Sequence, residues 1–147
     1  MDDLTQLTAV EKDVIRQYIT KIRAHDENPL IGPKEMGQLM SFSRPRAYAI
    51  LSKLEEEEIL EKIERKGFVL TVFGRQIVNE LIHRTKVLET FFHEELDIDL
   101  DTAEQDAQNI VLHVSVTLIQ RICSRLGKPT YCPHNFLIPH EESNKKN

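Results

Sequence analysis

Cysteine is scarce in this chain, with only Cys123 and Cys132 among 147 residues. Two thiols are too few for a disulfide scaffold and fit a reducing compartment. The five glycines never gather into a phosphate-binding loop, and no internal repeat or low-complexity tract is present. No apolar run approaches the roughly 20 residues that a membrane helix needs. The opening MDDLTQLTAVEKD carries acids where a signal peptide would carry a basic and then an apolar segment. The expectation is a cytoplasmic protein with no membrane partner. Net positive charge is also missing: at −5 the chain has no global pull toward nucleic acid, so DNA contact requires locally concentrated base. Neither cysteine is paired by the sequence with an activating base, so an enzyme is not expected.

What is present is enough apolar material, 40% against 29% charged, to bury a core in one large or two small domains. Base is concentrated locally. Residues 32–75 hold eight Lys or Arg against seven Glu, whereas residues 89–106 hold eight acids and no Lys or Arg. Two readings stand: a pair of solvated faces, or a nucleic-acid half joined to an acidic half.

Helical spacing dominates the chain. TAVEKDVIRQYITKIRA, capped by Thr8, repeats apolar residues at Val10, Val14, Ile15, Tyr18, Ile19 and Ile22. PKEMGQLMS starts on Pro33, and SRPRAYAILSKLEEEE has Ser43 as cap with Pro45 just inside. Short helix, turn and capped helix outline a helix-turn-helix. ILEKIE and FVLT then predict two strands joined at RKG, where Gly67 can take the positive φ of a tight hairpin, forming a wing. GRQIVNELIHRTKVLETFFHEEL predicts a long helix. TAEQDAQNIVLHVSVTLIQRICSRL predicts another, capped by Thr102, with Ala103, Ala107, Ile110, Val111, Val114 and Leu118 on one face. The fold class is thus mainly α with a small β-hairpin wing. A winged helix-turn-helix occupies residues 1–75, a helical dimerisation domain 76–140, and a disordered tail 141–147.

A recognition helix places side chains of its first turns into the major groove while basic groups engage phosphate. Ser43, Arg44, Pro45, Arg46 and Tyr48 crowd the exposed start of SRPRAYAILSKL, with Lys53 further along, while Ala47, Ile50, Leu51 and Leu54 can face a core. Arg65 and Lys66 at the wing tip would reach the backbone or minor groove. These eight residues are the candidate DNA contacts. The alternative is a dimeric winged-helix adaptor that uses the same surface for protein contacts.

The order of these segments, ending in YCPHNFLIP, resembles the diphtheria-toxin-repressor and manganese-repressor family across residues 8–139. Its carriers are the LT-x-x-G element at Leu70, Thr71 and Gly74, the R-x-x-x-L-E at Arg84, Leu88 and Glu89, and the CPH-x-x-x-IP ending at Cys132, Pro133, His134, Ile138 and Pro139. The resemblance implies a winged helix, a helical dimerisation domain, and a homodimeric repressor on palindromic double-stranded operators. It leaves no room for the SH3-like domain that some members carry.

The resemblance also implies a divalent metal, Mn, Fe or Zn, but most primary ligands are missing. The family's ligand positions match Lys12 or Asp13, then Thr85, Gln108, Val111 and Leu112, of which only Asp13 and Gln108 could coordinate. Glu89 and Glu104 match an ancillary site and keep their oxygens, yet two carboxylates rarely make a tight site alone. At about 100° per residue His113 falls on the opposite flank from Gln108, so it does not replace the missing histidine. Cys132 and His134, with His140 and Cys123, could form a zinc site, although their spacing matches no standard pattern. His83 and His93 are expected at the surface. No cofactor is therefore predicted, and AEQDAQNIVLHVS is read as packing where a site has been lost. Leu112 lies nearly opposite the apolar face of its helix, so Val111 and Leu112 are the expected dimer contacts.

Overall fold

Thr8 starts the first helix as its sequence suggests. Its side chain accepts from the Glu11 N–H at 3.1 Å while the Glu11 carboxylate accepts from the Thr8 N–H at 3.0 Å. This reciprocal cap opens α1, Ala9–Arg23. The computed structural model describes residues 6–130 and Ile138. Cys132, His134, His140 and the 141–147 tail lie outside the described residues.

The chain divides into two compact units, the boundary falling between Val78 and Asn79. In the first, α1 is followed by α2, Pro33–Met40, and α3, Arg44–Glu56, and then by β1, Leu60–Ile63, antiparallel to β2, Gly67–Leu70. Pro33 begins α2, and the Ser43 hydroxyl accepts from the Arg46 N–H at 3.3 Å to begin α3. Between these helices Ser41 turns the chain through a left-handed conformation, and the Phe42 N–H returns to the Gly37 carbonyl at 2.8 Å. Val14, Ile15, Tyr18, Met36, Ala47, Leu51, Leu54 and Phe68 form the core, all buried. The Tyr18 hydroxyl donates to the Phe68 carbonyl at 2.8 Å, and burial raises its pKa.

The wing is anchored by backbone. Ile31 bridges to Phe68 through reciprocal N–H to carbonyl bonds of 3.1 and 2.9 Å. Gly67, at φ +143°, is where that bridge requires glycine: a Cβ there would lie 2.8 Å from the Ile31 carbonyl carbon and oxygen. The LT-x-x-G element has a similar basis. The Thr71 hydroxyl donates to the Glu58 carbonyl at 2.6 Å, with the Ile59 carbonyl 3.1 Å away, and accepts from the Gly74 N–H at 2.9 Å, and a Cβ on Gly74 would stand 2.1 Å from the Ile59 oxygen. Thr71 thereby caps α4, Val72–Leu96, which begins two residues earlier than its periodicity predicts.

The second unit takes the rest of α4, then α5, Leu100–Ile110, a 3-10 turn at Val111–His113, and α6, Val116–Arg125. The Asp99 carboxylate accepts from the Thr102 N–H at 3.0 Å, so the cap is Asp99 rather than Thr102. The single helix expected over 102–126 is broken. Ser115 sits in extended conformation and its hydroxyl accepts from the Leu118 N–H at 3.1 Å, restarting the chain as α6. The break rotates the apolar pattern. Ile119, Ile122 and Cys123 are buried, whereas Ile110 and Leu118, expected on the buried face, are exposed. The surface expected for His83 and His93 is also revised: both are half-buried, and His93 Nδ1 lies 2.8 Å from the Ile98 carbonyl. The seven consecutive residues 84–90 are all buried, polar ones included. No helix among the described residues is long and apolar enough to cross a membrane.

Candidate nucleic-acid interface

Between the start of α3 and the wing lies an open cleft of about 630 Å³. Arg44, Pro45 and Tyr48 line it from α3, Arg65 and Lys66 from the wing turn, and Lys34 from the first turn of α2. Lys62 enters from β1. Five cations thus face one depression, with Glu64 as the single acid in its lining. Such a surface concentrates positive potential that the chain as a whole lacks.

The aromatic floor is fixed by packing. Tyr48 meets the buried ring of Phe68 edge-on, with centroids 6.2 Å apart. The Lys62 ammonium lies 5.4 Å from the Tyr48 ring centre and donates to its hydroxyl at 3.4 Å. That hydrogen bond from Lys62, aided by one from Ser52, holds the phenol below its ordinary pKa, and the Lys62 pKa is correspondingly raised. The backbone N–H of Lys62 is held in turn by the Glu55 carboxylate at 3.2 Å. The hairpin and α3 are therefore joined through Tyr48, which meets both Phe68 and Lys62, and through Glu55 on the Lys62 backbone.

Arg46 projects from the exposed start of α3 with its guanidinium 3.7 Å from the centre of the Phe42 ring. Stacking restricts the side chain while leaving its N–H fork open, as bidentate contact to a base edge needs. Of the expected contacts, the cleft brings together Arg44, Pro45, Tyr48, Arg65 and Lys66; Ser43 caps α3 beside it. Lys53 is not brought there. It pairs at 3.7 Å with Glu11 of α1, a buried carboxylate. Lys34, Lys62 and Phe42 were missed in the sequence, since an isolated lysine on a strand or helix end reads as solvated charge. Pairing Lys62 with Phe68 across the hairpin is the signal that would have placed it beside Tyr48.

In the second unit the positions matched to metal ligands offer little coordination. The Thr85 hydroxyl donates to the Leu81 carbonyl at 2.8 Å, Val111 is a buried alkyl group, and Leu112 is half-buried. The Gln108 amide donates to Glu104 at 3.3 Å, and the buried Glu89 carboxylate lies 3.4 Å from the Lys86 ammonium. In the first unit Lys12 is buried and Asp13 exposed. Among the described residues no group of three or more His, Cys, Asp or Glu could hold an ion. Hydroxyl, alkyl and amide groups with a lysine-neutralised carboxylate do not fit a divalent transition ion. His113 is exposed on the 3-10 turn, and burial pushes the Cys123 thiol up, away from thiolate chemistry.

A capped helix-turn-helix with a wing, followed by a helical unit, defines a winged-helix protein. Residues 71–140 match the family described as "Iron dependent repressor, metal binding and dimerisation domain". The solved hypothetical protein SSo2273 from Sulfolobus solfataricus is 25% identical, covering 91% of this chain and 100% of that one, with a TM-score of 0.76. The repressor ScaR with bound cadmium is 28% identical over 88% of this chain and 59% of its own, at a TM-score of 0.75. A manganese-dependent transcriptional repressor in complex with manganese is 26% identical over 86% of this chain and 59% of its own, at 0.71. The chain spans about three fifths of these two metal-bound repressors. The match over residues 71–140 and the likeness to these repressors support a transcription regulator of the diphtheria-toxin-repressor and manganese-repressor type.

Proposed function

We propose that this protein is a cytoplasmic, sequence-specific DNA-binding regulator, acting as a repressor from a homodimer on a two-fold operator, without the metal switch of its relatives. The cleft between α3 and the wing, lined by five cations over an aromatic floor, is the observation that carries the reading. Arg44, Lys34, Lys62, Arg65 and Lys66 contact phosphate, while Arg46 and Tyr48 read base edges. Residues 1–75 bind DNA and residues 76–140 dimerise. Leu112, half-buried, contributes to the dimer contact together with the exposed Ile110 and Leu118. Val111 supports that contact from inside the unit, where it is only 2% exposed. Two winged helices then sit about one helical turn, or a multiple of it, apart on the duplex.

The absence of metal control is supported by the donor set at Thr85, Gln108, Val111 and Leu112, which supplies neither the charge nor the imidazole a transition ion requires. Selection of duplexes from a random pool by the purified full chain, followed by light scattering of the complex, tests the reading. Enrichment of an inverted repeat bound by two protomers is expected. A pool that stays random, or a monomer on DNA, would overturn it.

A further inference from the structure

The segment that leads from α1 to the wing has little burial to hold it. Residues 24–28 are all exposed, His25 turns through a left-handed φ of 71°, and Pro29 is the first buried residue before Ile31 bridges to Phe68. Polar contacts fix it instead. The Asn28 N–H donates to the Asp26 carboxylate at 3.3 Å, and Arg75, in the first turn of α4, turns one guanidinium nitrogen to the Glu27 carbonyl at 2.5 Å and to the Asn28 side-chain oxygen at 3.1 Å. That nitrogen carries two hydrogens in a fixed plane, so a single group holds a backbone oxygen and a side-chain oxygen together. Arg75 is itself rooted by the LT-x-x-G element, its N–H donating to the Thr71 carbonyl at 2.9 Å.

Beyond Asn28 and Pro29 the chain reaches Ile31, which exchanges two backbone bonds with Phe68. Phe68 in turn sets the cleft: its ring meets Tyr48 edge-on, and across the hairpin it pairs with Lys62. Arg75 is not part of the cleft lining, so its charge lies outside the surface that would meet phosphate. We propose that Arg75 is a positioning residue for DNA binding: by anchoring Glu27 and Asn28 it seats Ile31 against Phe68 and so places Lys62, Arg65 and Lys66 opposite α3. The inference rests on the DNA reading above and deepens it.

Two measurements on the full chain test it, each comparing wild type, Arg75→Met and Arg75→Lys. Amide hydrogen exchange without DNA reads the seating of the wing, and fluorescence anisotropy of a labelled selected duplex across a salt series reads its use. In Arg75→Met the Ile31 and Phe68 amides should exchange about tenfold faster or more, while the amide of Leu51, buried in α3, keeps its rate. Affinity should fall about tenfold or more, and the slope of log affinity against log salt should flatten by more than about two units, the most that the lost Arg75 charge could itself account for on two protomers. Arg75→Lys keeps the charge and a donor for the Glu27 carbonyl, so both readouts should move the same way by less. Unchanged exchange at Ile31 and Phe68 overturns the proposal, as does equal acceleration at Leu51, faster exchange with unchanged affinity, or a slope change within the two units of a direct phosphate contact. If Arg75→Met does not fold, Arg75→Lys decides: faster exchange at the two amides with weaker binding supports the proposal, and wild-type behaviour in either overturns it. A wild type that binds no duplex removes the DNA reading, and the exchange rates still decide whether Arg75 anchors the wing.

Discussion

Lys62→Ala removes one of the five cations lining the cleft while leaving α3 and its cap in place. Each phosphate neutralised on B-form DNA contributes about −0.9 to the slope of log affinity against log salt. With five cations on each of two protomers, the wild-type slope should be about −9, and that of Lys62→Ala about −7. Between about 50 and 200 mM salt, wild-type affinity should fall about five orders of magnitude and that of the variant about four. Tyr48→Phe supplies the control. It keeps the ring that meets Phe68 edge-on and loses only the hydroxyl that accepts from Lys62, so its slope should match wild type. Fluorescence anisotropy of a labelled selected duplex across a salt series reads both variants. A Lys62→Ala slope equal to wild type, in protein with unchanged urea unfolding, would show that Lys62 serves Tyr48 and not phosphate.

Arg46→Ala should lose about 1–3 kcal/mol of operator binding and relax sequence preference, because the fork stacked on Phe42 reads a base; equal binding of wild type and variant to every duplex would remove that role. Gly67→Ala forces both a strained φ and an overlap with the Ile31 backbone, so urea unfolding should show a loss of about 3 kcal/mol, and an unchanged midpoint would contradict the wing geometry. Leu112→Glu places a charge on the half-buried dimer contact and should yield a monomer by light scattering at micromolar concentration, whereas a retained dimer would move the interface elsewhere.

The first unit was legible because its boundaries are written in side chains that cap or break helices. Thr8, Ser43 and Pro33 each do the local job their residue type suggests, whereas the left-handed residue of the hairpin turn is Arg65 and Gly67 is required by the approach of Ile31. The second unit was less so. Apolar residues continue at helical spacing through Ile110, Val111, Val114 and Leu118, so periodicity runs across a break that only the Ser115 cap reveals. Buried charge was the other blind spot. Lys12, Lys86 and Glu11 look solvated one residue at a time, and only tertiary packing decides that they are enclosed. For the same reason the sequence does not show that Lys53 pairs with Glu11 or that Lys62 lines the cleft.

Affinity for a selected two-fold duplex, measured in EDTA and again with manganese, ferrous iron or zinc, decides whether this regulator binds DNA unaided. With Thr85, Val111 and Leu112 at the expected ligand positions and Glu89 facing Lys86, affinity should agree within about threefold in all four solutions. A shift above tenfold, about 1.4 kcal/mol of coupling, would mean that a metal still controls the winged helices.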